Sequence, residues 1–368
     1  MNRSLPGFFL ILLSTACVDR INFDVGDAGA LPVVIEGHIT DDPGPYEVRV
    51  TRGFDVESRF SFKTPLQVKR LEISDDEGNV EQLTKIDDGV YRTNAEGIRG
   101  VVGRTYKIRA ELLDGRIYES TPEKMLPSGS VDKIEGELVE YTDAQNFTRF
   151  GFDIFFDSKA GTGSYQLMWK MVATYQITTN PELATEPCGE SRCPSPPPCS
   201  GYIVGPVGAI DHVGPCQCCN CWVNLFNDVP VVSDGQLVQD GRFHHIKVGQ
   251  VPVTQFTFMY KTHVEIQQYS LSENAFEFWN GIKTQMGSAG NLFQPQTGGI
   301  HGNFVQVAGK PGPVQGIFYA SSIARTSIFL SPADIPDKRI IPTQAIPVTR
   351  SCLTIPNSTN VEPAYWRP

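Results

Sequence analysis

No apolar run in this chain of 368 residues reaches the roughly 20 needed to cross a bilayer as a helix, which excludes a body built of transmembrane helices. Positive charge is thin as well. The 31 Lys and Arg are outnumbered by 41 Asp and Glu, the formal net charge is -10, and no dense basic cluster occurs, so nucleic acid is not an expected partner. Catalytic signatures are missing too. There is no G-x-S-x-G, because Gly161-Thr-Gly-Ser164 has no Gly two residues beyond a central Ser, and Ser164 reads as a turn or strand-edge residue. Neither Gly161-Thr-Gly163 nor Gly298-Gly-Ile-His-Gly302 carries the Gly-Lys-Ser/Thr ending of a phosphate loop. H-E-x-x-H is absent; His263 and Glu265 would share one face of a strand without forming a recognised zinc motif, and His244-His245 reads as an ordinary strand-surface pair. The two acids of a glycosidase need only spatial separation, but the clustered acids here stand in turn sequences, where Asp supports backbone geometry. No catalytic residue, metal site or cofactor is therefore expected.

What is plentiful is Gly (34) and Pro (27), in a chain that is 40% hydrophobic and 20% charged, and this favours many short strands joined by turns over long helices. An all-β fold is the expectation. The length exceeds what one small sandwich needs and predicts two domains. Leu31 to Ile39, Tyr46 to Thr51 and Val68 to Ile73 alternate apolar and polar residues as half-buried strands do, and Thr105 to Leu112 with Arg116 to Ser120 reads as a hairpin. Asp75 to Asn79, Asp87-Asp88-Gly89 and Asp114-Gly115 supply the turns. Residues 30–126 are thus expected to form an immunoglobulin-like or transthyretin-like sandwich, with Leu126-Pro-Ser-Gly-Ser130 as linker.

Residues 127–352 predict a larger β-rich domain. Its strands are read at Phe152 to Phe156, Tyr165 to Tyr175, His244 to Val248, Val253 to Tyr260 and Thr262 to Tyr269, with a Pro/Cys-rich insert at 181–221. One amphipathic helix is expected across its sheet. Ser270-Leu-Ser-Glu273 has the form of a capping box, and Leu271, Ala275, Phe276, Trp279, Ile282 and Met286 recur at helical spacing as a core-packing stripe. The Pro-rich tail, 353–368, reads as irregular.

The N-terminus carries its own signal. Arg3 precedes an almost wholly apolar run from Leu5 to Leu13, and Ser14-Thr15-Ala16 then leads to Cys17, so residues 1–16 are expected to be a lipoprotein signal peptide. Small residues directly before Cys17 suit cleavage there and attachment of a diacylglycerol thioether to its sulfur, although Ser14 stands where such sites usually have Leu. With residues 17–29 as an anchor linker, the mature chain would carry 30 bases against 41 acids. An ordinary cleaved signal, with Cys17 in a disulfide, is the alternative.

Eight further cysteines, Cys188, Cys193, Cys199, Cys216, Cys218, Cys219, Cys221 and Cys352, make an even set, as expected of disulfides in an exported protein. Seven crowd between 188 and 221. Only Cys352 can tie in the C-terminus, and Cys221 is the favoured partner. A thiolate-rich metal cluster is the alternative, but Cys218 and Cys221 form a single C-x2-C where a zinc ribbon has two.

Several motifs in order resemble a family of Bacteroidota lipoproteins catalogued as domain of unknown function 4249. They are Val33-Val-Ile-Glu-Gly-His-Ile-Thr, Gly44-Pro-Tyr-Glu-Val-Arg-Val-Thr, Ile73-Ser-Asp-Asp-Glu-Gly-Asn, Asp88-Gly-Val-Tyr-Arg-Thr, Gly103-Arg-Thr-Tyr, Cys221-Trp222, Ser270 to Trp279, Gly290-Asn-Leu-Phe293, Gly302-Asn303 and Gly316-Ile-Phe-Tyr-Ala-Ser. The resemblance spans roughly residues 17 to 352. It implies a non-enzymatic accessory lipoprotein of the outer membrane, on its periplasmic or external face, partnered with a TonB-dependent receptor in uptake or surface assembly. A structural or adhesive surface protein, and a hydrolase with an unrecognised site, are the rival classes.

Overall fold

The computed structural model describes residues 31–53, 64–163, 165–227, 229–233, 240–288, 300–342 and 347–366. Strands dominate them, as the composition predicts. In Thr105–Leu112, Tyr106, Ile108, Ala110 and Leu112 are buried while Lys107 and Arg109 face solvent, the two-residue period of a strand with one covered face. It lies between Ile117–Ser120 and Val68–Asp75, and opposite this sheet Val33–Thr40, Glu47–Arg52 and Val90–Arg92 form another. Ile35, Val48, Leu71, Ile73, Ile108 and Tyr118 fill the space between the two sheets.

Residues 30–126 do not complete this sandwich by themselves. Phe318–Ser321 pairs in parallel with Val33–Thr40, Phe304–Ala308 pairs antiparallel with Ile117–Ser120, and Phe304, Phe318 and Ala320 join the first core. The boundary expected after residue 126 therefore marks only the chain's first exit, and residues 304–321 return. Two glycines permit the close approach. At Gly316, with φ of +103°, a Cβ would lie 2.0 Å from the Ile35 carbonyl oxygen, and at Gly302 one would lie 1.8 Å from the Gly316 carbonyl oxygen.

The second sandwich sets Ser130–Thr142, Thr148–Lys159 and Arg242–Pro252 against Ile323–Leu330, Thr262–Ser270, Leu167–Thr178 and Asn220–Phe226. Phe152, Phe156, Trp169, Met171, Phe243 and Ile266 lie in its core. Val253 to Tyr260, expected as a strand, forms turns instead. The Thr254 amide donates to Thr257 Oγ1 at 2.9 Å, and that hydroxyl donates to the Pro252 carbonyl at 2.6 Å, which is turn chemistry local enough to override apolar alternation. The helix runs Glu273–Ser288 and is capped by Ser272, whose Oγ accepts from the Ala275 amide at 3.2 Å. Ser270, expected to open the capping box, instead ends the preceding strand and donates from Oγ to the Leu126 carbonyl at 2.5 Å.

All eight described cysteines are bridged, as Cys188–Cys193, Cys199–Cys218, Cys216–Cys219 and Cys221–Cys352. The insert is two small hairpins, Thr185–Cys188 with Ser191–Pro194 and Tyr202–Val204 with Ile210–His212, held by these bridges. The tail is more ordered than its composition suggests. Ser358–Thr359 pairs with Asn220–Phe226, Trp366 is buried, and Tyr365 stacks on His263 with ring centroids 3.9 Å apart. Aromatic surface at its end outweighs the Pro-rich stretch before it.

A polar seam joins the sandwiches. Glu123, fully buried, accepts from Asn303 Nδ2 at 2.8 Å, from Asn274 Nδ2 at 3.2 Å and from the Ser272 hydroxyl. Asn303 also clamps the returning strand, donating to the Phe318 carbonyl at 2.7 Å and accepting its amide at 3.0 Å. Buried Gln268 donates to the Ser128 and Lys159 carbonyls and accepts from Trp169 Nε1 at 2.7 Å. Every one of these groups would be costly to bury alone.

Two substitutions test this construction. Glu123→Ala leaves the Asn303, Asn274 and Ser272 donors without their acceptor and should lower unfolding free energy by about 3 kcal/mol in urea melts. An unchanged midpoint would refute the role of the seam. Replacing Cys221 and Cys352 together by Ala opens a loop of sequence separation 131 and should cost about 4 kcal/mol by the same measurement.

Candidate functional site

In the strand Leu167–Thr178 the stretch from Leu167 to Ala173 is apolar on both faces apart from Lys170. Leu167, Trp169, Met171 and Ala173 point into the second core, while Met168 joins a separate cluster with Tyr269, Leu271, Ala275 and Tyr319 beneath the helix. Lys170, the one charged residue between Leu167 and Ala173, falls on that outer face beside Met168 and Val172. There it lines a cavity of about 450 Å³ with Val172, Phe226, Pro230, Gln267, Tyr269, Trp279 and His38. His38 belongs to the first sandwich and Trp279 to the helix, so the cavity sits between the sandwiches, a frequent place for ligand sites.

Lys170 has no carboxylate partner among the described residues. Its Nζ lies 4.6 Å from the centroid of the Tyr269 ring and 5.9 Å from that of Trp279. The amides nearby are already committed. Gln267 donates to Glu265 at 2.6 Å and accepts from the Tyr269 hydroxyl at 2.8 Å; Asn227 donates to the Val229 carbonyl at 2.7 Å and accepts from the Met171 amide at 2.9 Å. The Trp279 Nε1–H is buried and has no hydrogen-bond partner among the described residues. Burial shifts the titrations in the directions this predicts. It lowers the pKa of Lys170 and pushes Tyr269 up to about 12 and Tyr319 well above its ordinary value. His38, stacked on Tyr319 at 5.3 Å, is lowered to about 4, chiefly by burial and further by Lys170, with Glu47 opposing.

A larger cavity, about 780 Å³, opens at the far end of the second sandwich between Tyr141, Phe150, Thr254, Phe256 and Ile340. Its charges are already matched: Arg149 pairs with Asp143 at 2.8 Å and Arg339 with Asp337 at 2.6 Å. In the interdomain cavity the lone charge, on Lys170, is largely buried against ring faces with no carboxylate beside it among the described residues, and for that reason this cavity is the candidate site.

The residues singled out from sequence lie elsewhere. Cys17 and Ser164 fall outside the described residues, as does the start of the Gly298 to Asn303 loop. The bridged cysteines cluster around Ile177, seven residues further along the strand from Lys170 and thus about 23 Å away. His263 is packed between Tyr365 and Phe329, and His245 stacks on Phe155 at 4.0 Å. Among the described residues no three His, Cys, Asp or Glu are placed to share a metal ion. Of the helical stripe, Leu271 and Ala275 pack as core with Phe276 and Trp279 against them, and Trp279 also walls the cavity. The overlooked signal was Lys170, a lone cation inside a run otherwise apolar on both faces.

Two tests follow. The ring contacts of Lys170 contribute about 1 kcal/mol, whereas desolvating an unpaired ammonium costs several, so Lys170→Met should raise stability by about 1 kcal/mol in urea melts. Lowered stability would mean the cation has a stabilising partner. His38 binds its proton less readily folded than unfolded, and His263, lowered by burial, behaves alike, so stability should fall as pH drops through 6.5 towards 4. Between pH 6.5 and 5, His38→Gln should flatten that loss by on the order of 2 kcal/mol in thermal melts; parallel pH profiles would refute a buried neutral His38.

No curated protein and no solved structure matches the chain. The family model described as Domain of unknown function (DUF4249) matches residues 18–327, a span that takes in the first sandwich, the insert, the helix, the returning strands and every wall of the cavity. The chain belongs to that family.

Proposed function

We propose that this is an exported lipoprotein, anchored in the outer membrane by acyl chains on Cys17, whose body is a non-enzymatic binding module serving a TonB-dependent receptor. The observation that carries the binding role is the interdomain cavity, an apolar pocket with one unmatched cation, walled by two sandwiches that a buried polar seam holds together. Among the described residues its lining contains no Ser, Thr, Cys, Asp or Glu, so a hydrolase finds neither an aliphatic hydroxyl or thiol nor a carboxylate there, and the one hydroxyl present, on Tyr269, donates to Gln267 and is held in its neutral form by burial. The anchor rests on the apolar run from Leu5 to Leu13 and the small residues before Cys17. No described helix is long and apolar enough to cross a membrane. Two or three acyl chains would suffice, since one alone binds marginally. The receptor rests on the family resemblance.

One feature favours a structural or adhesive role instead. The Tyr202–Val204 and Ile210–His212 hairpin exposes Ile203, Ile210 and Val213, with Val207 at its tip 91% exposed, which is apolar surface without a described cover.

Cys17→Ser should release the protein from outer membranes washed in high salt, and its retention there would refute the anchor. Crosslinking of the full chain in intact cells should capture a TonB-dependent receptor in near-stoichiometric amount. No capture, together with unchanged nutrient uptake in a deletion strain, would leave the adhesive role as the better account.

A further inference from the structure

We propose that the interdomain cavity binds a small amphiphilic monoanion, with its carboxylate against Lys170 and its apolar body along Met168, Val172, Phe226 and Trp279. This deepens the binding role above and rests on it.

The ligand class follows from what the lining leaves unspent. Gln267 and Asn227 each engage one amide N–H and the amide oxygen with neighbouring protein groups. What remains is chiefly the Lys170 ammonium and the imidazole of His38, against a wall otherwise of methyls, methylenes and ring faces. Donors therefore outnumber acceptors. A ligand suited to them brings acceptor oxygens, and a charged acceptor gains most from an ammonium already stripped of water.

Charge narrows the class further. A cationic ligand would meet Lys170 as a like charge, and the ring faces that would otherwise receive it are the ones Lys170 already occupies, at 4.6 Å from Tyr269 and 5.9 Å from Trp279. A neutral apolar ligand would complete the dehydration of the ammonium without giving it a partner. One cation lines the cavity, so one negative charge is matched, and a dianion would carry its second charge into apolar surroundings. Size sets the upper limit. At roughly 30 Å³ for each water-sized group, the cavity of about 450 Å³ holds about fifteen non-hydrogen atoms, the scale of a medium-chain fatty acid or an aryl carboxylate.

The test is a titration of the full chain with decanoate, decanol and decyltrimethylammonium, each kept below its micellar concentration and followed by calorimetry and tryptophan fluorescence. Decanoate should bind once per chain and about tenfold or more tighter than decanol, the weight of a single charge-assisted hydrogen bond, while the ammonium should not bind. Lys170→Met should abolish the preference for decanoate over decanol, and Lys170→Arg should keep it. Equal binding of decanoate and decanol, decanoate affinity indifferent to Lys170→Met, or saturable binding of neither would overturn the assignment. Receptor capture uses no added anion, so a failed titration beside a successful capture removes the ligand class and leaves the binding role standing.

Discussion

A carboxylate with no exposed surface has to be met by donors, and the arrangement of this protein turns on where the donors to Glu123 come from. Ser272 and Asn274 lie at the start of the helix, and Asn303 lies where the chain turns back to the first sandwich. Two distant segments are thereby fixed at one point. Trp279 stands two turns along the helix from Ser272, and Tyr319 stands one residue beyond Phe318, whose amide and carbonyl Asn303 holds. His38 stacks on Tyr319, and Trp279 meets the same ring edge-on at 6.2 Å. The cavity walls thus inherit their positions from the seam. Its hold comes less from the net attraction of each hydrogen bond than from the cost of leaving a buried charge without them.

Much of this is legible in the amino-acid sequence. Strands such as Thr105–Leu112 announce themselves because one face is wet, and their hairpins close at Asp-Gly turns whose backbone demands are local. The helix was legible from its stripe. Its cap was misplaced by two residues because Ser270 and Ser272 are equally good caps in sequence, and only the Leu126 carbonyl, distant in the chain, claims the hydroxyl of Ser270. The return of residues 304–321 was not legible at all. Parallel pairing of Phe318–Ser321 with Val33–Thr40 sets Phe318 opposite Gly37, far away in the chain, and alternation reports a strand's faces but not its neighbour. Gly302 and Gly316 mark the crossing, yet a glycine reads the same whether it serves a turn or a close approach.

The cysteines gave a different lesson. With seven of eight in one short stretch, local bridges were forced, and the single distant thiol had to tie a remote segment to the insert. Their chemistry is structural: Cys218, Cys221 and Cys352 are buried with Ile177 and Val223 in a small core that the apolar content of the insert does not supply by itself. The same tie seats the C-terminal tail, whose Ser358–Thr359 strand and buried Trp366 follow closely on Cys352.

The strand Leu167–Thr178 passes through three environments, and Lys170 belongs comfortably to none of them. At one end its outer face lies under the helix, at the other it pairs with the strand that carries Cys221, and along its length the inner face fills the second core. Folding alone would be served by Met at position 170, which would fill part of the cavity and present no charge to it. Lys brings instead an ammonium that burial disfavours, held against two rings that return only part of the cost. A residue that opposes stability where an apolar one would fit calls for a reason outside folding, and the space Lys170 faces is the cavity between the sandwiches, which is the ground for proposing a ligand there.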